Sequence, residues 1–141
     1  MKLIYLTITT CIAWMTISCE GQRPRQSNEV VNGERPMARI SIPECVDMGT
    51  FPSDVAEKNV TLELRNVGDD TLFVYSILPD CNCVTVSIKD SILPPYDATT
   101  VQASLNLESY FKGDTIAKQF VITSNSVDER HKRVTLIGIL E

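Results

Sequence analysis

A chain of 141 residues in which 43% of side chains are aliphatic, aromatic or cysteine can bury one packed core and leaves no room for a second, enzyme-sized domain. With 18 acidic against 13 basic side chains the formal charge is -5, which argues against a surface that neutralises nucleic-acid phosphates.

Lys2 precedes an uncharged apolar run from Leu3 to Ile17, the pattern of a short positive region and the hydrophobic region of an export signal. That run is about 15 residues, short of the roughly 20 that a spanning helix needs. Cleavage is the expectation, and an uncleaved anchor is the alternative. Thr16-Ile17-Ser18-Cys19 comes next and resembles the bacterial lipobox in the relaxed form typical of Bacteroidota-type lipoproteins. Residues 1–18 then read as a lipoprotein signal peptide that takes Cys11 with it, and Cys19 as the lipidated N-terminus. Several acyl chains hold a protein to a bilayer where one binds only marginally. A membrane is therefore the first expected partner. The expected location is the cell envelope, at the outer membrane or the periplasmic face.

Residues 19–37 are mostly Glu, Gly, Gln, Arg, Pro, Ser and Asn, with Val30 and Val31 as the adjacent apolar pair. Such a stretch cannot bury enough apolar surface to offset its conformational entropy, so it reads as a flexible linker.

From residue 38 the hydrophobic period becomes two, the mark of half-buried strands. Short candidates lie at 39–42 and 46–51. Val60, Leu62 and Leu64 alternate with polar neighbours, and Asn66-Val67-Gly68-Asp69-Asp70 supplies a turn. A strand from Leu72 to Leu78 ends at Pro79, which has no ladder donor. Val84–Ile88 is another short candidate. Val101, Ala103, Leu105 and Leu107 share one face of the next strand, as do Ile116, Phe120 and Ile122, and then Val134, Leu136, Gly138 and Leu140. About seven to eight strands separated by turn signals predict an all-β, immunoglobulin-like sandwich with Greek-key connections over residues 38–141, and no domain beyond it.

The order of motifs resembles the bacterial domain of unknown function 1573, which is similar to immunoglobulin-like domains of the ASPM-SPD-2-Hydin type. Asp47-Met48-Gly49-Thr50-Phe51 resembles its Asp-Phe-Gly start and Asn66-Val67-Gly68 its Asn-x-Gly turn. Leu72-Phe73-Val74 stands at its Pro-Leu-x-Ile, Cys81-Asn82-Cys83-Val84 at its Cys-Gly-Cys-Thr and Leu93-Pro94-Pro95-Tyr96 at its Ile-x-Pro-Gly. Ser124-Asn125 and Leu136-Ile137-Gly138 complete a match over residues 39 to 140. The resemblance implies the fold, a secreted setting and frequent lipoprotein status, and no established activity. Three departures stand out. Asn82 replaces a glycine and is expected to keep the loop tight through its tolerance of left-handed backbone. Tyr96 replaces the glycine of the Pro-Gly turn, and Cys45 has no counterpart.

After processing, Cys45, Cys81 and Cys83 face an oxidising compartment. Residues two apart on a strand stand about 6.6 Å apart, too far for a disulfide, so a Cys81–Cys83 bond requires a tight turn. The alternative pairs Cys45 with Cys81 or Cys83 and leaves one thiol free. A further reading makes all three thiolates ligands for a soft metal ion. Redox catalysis is disfavoured, since no basic neighbour is evident and Asp80 opposes thiolate formation.

His131, the only histidine, lies in the charged segment Asp128–Arg133 and reads as part of a solvated hairpin or loop. No nucleophile elbow, phosphate loop or His-Glu-x-x-His pair is present, so neither an enzyme nor a cofactor is predicted. Asp70-Thr71-Leu72, Asp90-Ser91-Ile92 and Asp114-Thr115-Ile116 resemble bacterial O-glycosylation acceptors, making Thr71, Ser91 and Thr115 candidate modification sites. The expected function is a membrane-tethered binding or scaffold module for a protein or glycan. The alternative is a thiol or soft-metal envelope protein centred on Cys81-Asn82-Cys83.

Overall fold

In the computed structural model, which describes residues 35–141, the period-two segments all become strands. They are β1 (Ile40–Ser41), β2 (Cys45–Phe51), β3 (Glu57–Asn66), β4 (Leu72–Pro79), β5 (Val84–Ile88), β6 (Ile92–Leu93), β7 (Ala98–Asn106), β8 (Thr115–Ser124) and β9 (His131–Leu140). The expected signal segment, Cys19 and nearly all of the expected linker lie outside the described residues. The count of nine exceeds the expected seven to eight because β6, only two residues long, carries no readable alternation. β1 is also shorter than the expected 39–42, and β2 starts one residue early, at Cys45.

Two sheets form, ordered β1-β3-β7-β5 and β2-β9-β8-β4-β6. Only β8 and β9 pair as sequence neighbours; every other ladder joins strands that do not follow one another, as Greek-key connections require. All pairings are antiparallel except that of β2 with β9, which runs parallel from Cys45 opposite Thr135 to Phe51 opposite Leu140.

The alternating residues meet between the sheets. Leu64 and Val101 face in from one sheet, and Phe120, Ile122, Val134 and Leu136 from the other, all with 0% exposure. Each such side chain contributes about 1.5–3 kcal/mol on removal from water, so the shared core outweighs any surface contact. Gly138 keeps the inward parity of β9 without a side chain because Phe51 lies over it. A Cβ there would stand 2.8 Å from the Phe51 ring.

β4 departs from strict alternation. Val74 faces Ser124 and Ser76 faces Thr123, so Tyr75 is an extra residue in a bulge. The bulge shifts the parity: Leu72, Val74 and Ile77 turn inward, while Phe73, Tyr75 and Leu78 turn to solvent.

Candidate functional site: two turns and an apolar strand

Asn66, at the end of β3, is 1% exposed, and its side chain joins three segments. Its Oδ1 accepts the backbone N–H groups of Arg39 (3.3 Å) and Gly68 (3.0 Å). Its Nδ2 donates to the carbonyls of Asp70 (2.7 Å), Leu93 (3.1 Å) and Pro94 (3.1 Å). The Asn-x-Gly turn is thus a buried structural joint. No buried side-chain polar atom among the described residues lacks a partner, so the core offers no orphan group to a ligand.

The turn after β6 lies beside that joint. The Asp97 N–H donates to the Pro94 carbonyl at 3.2 Å, with Pro95 and Tyr96 between them and Tyr96 at φ 65°. This is the dihedral that the third position of a type II turn requires, and it explains why a glycine belongs there. Tyr96 adopts it at a cost of about 1–2 kcal/mol and leaves its ring 71% exposed.

The Cys81-Asn82-Cys83 loop links β4 to β5 and so joins the two sheets. The Val84 N–H donates to the Cys81 carbonyl at 3.2 Å, closing a tight turn that brings the Cys81 and Cys83 Cα atoms to 5.3 Å with their sulfurs bonded. Asn82 is not in the left-handed region, contrary to expectation; the turn closes with ordinary negative φ at its centre. Both cysteines are half-buried against the core.

Cys45 is an exposed free thiol on β2. β9 and β8 stand between β2 and β4, a separation of about 14 Å at the usual strand spacing. That is twice the reach of a disulfide, so the alternative pairings with Cys45 do not form. The same separation keeps the three cysteines from converging on a metal ion, and no group of three metal-ligating residues occurs among the described residues.

His131 is the first residue of β9 and not part of the preceding turn; its Nδ1 lies 3.2 Å from the Thr123 hydroxyl in an exposed cross-strand pair. Thr71 is half-buried just before β4, its carbonyl accepting from Asn125 Nδ2 at 2.9 Å. Ser91 and Thr115 are exposed, one before β6 and one opening β8. The three acceptor-like motifs are not brought together.

Charge is organised mainly at Lys132, which pairs with both Glu44 and Glu129. The hydrogen bond from Lys132 holds the Glu44 carboxyl below the usual carboxylate range, and bonds to Glu44 and Glu129 raise the Lys132 ammonium above its ordinary value.

Sequence reading missed the grouping of exposed apolar side chains. Phe73, Tyr75 and Leu78 of β4 and Ile92 of β6 are 40%, 66%, 63% and 59% exposed, and Phe73 pairs directly with Ile92. The signal was present in Leu72–Pro79, where both parities are apolar.

Two packed sheets with this strand order define an immunoglobulin-like β-sandwich. The solved structures similar to the chain bear this out. A protein of unknown function from Porphyromonas gingivalis W83 superposes with a TM-score of 0.64 at 19% identity, over 73% of this chain and 47% of that one. The PapD-like domain 7 of human CEP192 gives 0.51 at 14%, over 77% and 89%. The Vibrio cholerae VesB protease gives 0.55 at 13%, over 73% of this chain and 32% of the protease. At these identities the likeness shows fold alone. The chain spans about half of the Porphyromonas protein. No curated protein matches the sequence. The family described as "Protein of unknown function (DUF1573)" matches residues 43–140, and the chain belongs to it.

Proposed function

We propose that this chain is an exported lipoprotein, anchored through Cys19, whose sandwich is a non-enzymatic binding module for a protein or glycan partner. The observation that carries the binding reading is the apolar strip of Phe73, Tyr75, Leu78 and Ile92 on two paired strands. Single exposed apolar residues are ordinary on a soluble surface, whereas a contiguous group marks a contact site. The anchor rests on the lipobox-like segment Thr16-Ile17-Ser18-Cys19.

Mass spectrometry of membrane-extracted protein tests the anchor. The expected species lacks residues 1–18 and carries acyl mass on Cys19; an intact Met1 without acyl mass overturns it. A photo-crosslinker at Tyr75, compared with one at Thr61 on the outer face of β3, tests the surface. A discrete adduct from Tyr75 alone is expected in cells, and equal yields from both positions overturn the assignment.

A further inference from the structure

We infer that the open edge of β4, facing the edge strand β5 across a groove, accepts an extended, uncharged peptide segment by strand addition. This rests on the binding-module reading and names the chemistry of its partner.

Backbone pairing is the starting point. β4 is paired with β8 along Val74–Pro79, but its other side meets β6 only at Leu72 and Phe73. The Val74 N–H donates to the Ser91 carbonyl at 2.8 Å, and beyond it no strand of the described residues pairs with that side from Tyr75 to Pro79. β5 is likewise terminal, paired only with β7. The two edges border one groove of about 300 Å³, lined by Tyr75, Ser76 and Ile77 from β4 and by Val86 and Ile88 from β5. Ile77, Val86 and Ile88 are half-buried and pack against the core, so the floor of the groove is continuous with it.

Edge strands in stable proteins carry lysines, inward charges or prolines that discourage pairing. Neither Leu72–Pro79 nor Val84–Ile88 contains a charged side chain, in a molecule where charged residues are 22% of the chain. The protection on β4 is the bulge at Tyr75 and the terminal Pro79.

The chemistry of the groove selects its occupant. Unpaired main-chain donors and acceptors are met by another main chain in extended form. The uncharged walls exclude a charged segment, whose desolvation nothing here would offset. Apolar side chains at alternate positions would cover Ile77, Val86 and Ile88. A second copy fits less well. Two β4 edges laid side by side would bring each copy's β6 into line with its partner's strand, whereas a short peptide meets no such obstacle.

The test uses the full chain in detergent and a labelled acetyl-Thr-Val-Ser-Val-Thr-amide peptide, read by fluorescence anisotropy, with hydrogen exchange mapping the site. Expected results are saturable binding below about 1 mM, slowed exchange at residues 75–78, and at least tenfold weaker binding on N-methylation of both valines. The double variant Tyr75→Lys, Leu78→Lys, with both positions on the surface, is expected to weaken binding at least tenfold while leaving the circular dichroism unchanged. Absence of saturable binding, equal binding of the N-methylated peptide, or protection confined to another strand overturns the inference. A concentration-dependent dimer that Leu78→Lys abolishes, with no peptide bound, overturns it in favour of self-association. If the peptide fails while the Tyr75 photo-crosslink persists, the binding-module reading stands and only the strand-addition mode falls.

Discussion

The Oδ1 of Asn66 accepts the Gly68 N–H at 3.0 Å, and a Cβ on Gly68 would lie 2.1 Å from the Met37 carbonyl oxygen. One residue of the Asn-x-Gly turn therefore supplies the hydrogen bonds that hold the N-terminal segment, and the other supplies the space it occupies.

Asn66→Ala removes a buried group that serves three carbonyls and two N–H groups. Each buried polar group left without a partner costs about 1–3 kcal/mol, and partial hydration of the opened site returns some of it. A net loss of about 3 kcal/mol is expected, measured as a lower urea midpoint with unchanged slope.

Gly68→Ala forces Met37 and Arg39 away from the turn, breaking the bonds from Asp69 N to Met37 O (3.1 Å) and from Val67 N to Arg39 O (2.8 Å). The expected loss is about 2–3 kcal/mol. Hydrogen exchange should accelerate first at Ile40 and Val67, before the β8 and β9 amides respond.

Tyr96→Gly places the residue the type II turn favours at φ 65°. Relief of about 1–2 kcal/mol of backbone strain outweighs the roughly 0.5–1 kcal/mol entropic penalty of glycine. A net gain of about 0.5–1 kcal/mol in chemical denaturation is expected.

Reduction of Cys81–Cys83 opens a very short loop. Chain-entropy reasoning assigns such a loop about 1–2 kcal/mol, well below the ~3 kcal/mol of a 15-residue loop. The Cys81→Ser, Cys83→Ser variant is expected to stay folded with that modest loss. Thiol titration of the unfolded chain should rise by two equivalents on reduction, and the rise should vanish in the variant.

Glu44 has its carboxyl held below the ordinary value of 4.5 by Lys132. A carboxyl lowered on folding adds stability above its unfolded value, and that stability fades as pH falls through the lower folded value. The raised Lys132 acts oppositely: its contribution is full below 10.5 and disappears as pH rises through its higher folded value. Glu44→Gln should therefore flatten the stability profile below about pH 4.5 and, by removing one of the two carboxylate charges beside Lys132, weaken the alkaline loss. Denaturant midpoints across pH check both limbs, and identical profiles would refute the pairing.

The long strands were legible because period-two alternation survives wherever one face is core and the other water, as in β3, β7, β8 and β9. β6 was invisible because two residues carry no period. The buried role of Asn66 was hidden because asparagine before glycine has the same signature in a solvated turn, and only the approach of residue 37 distinguishes them. Tyr96 was marked by its place in a Pro-Gly motif, although nothing about tyrosine itself announces a positive φ. The cysteine pairing hinged on the order of strands within one sheet, which β2 joins through a parallel ladder to a strand some ninety residues later. The apolar strip on β4 was obscured because a bulge and two apolar parities mimic a fully buried strand.

That ladder bears on the order of assembly. Cys45 waits for Thr135 and Phe51 for Leu140, and among the described residues β2 has no other strand to lean on. Contacts so distant in sequence are slow to close and leave an unpaired edge exposed meanwhile. A chain emerging N-terminus first from the ribosome cannot complete this sheet until β9 has been made. Until then β2 and β8 both stand ready to pair with the wrong neighbour, which makes the ten residues of β9 the step that commits the domain to its fold.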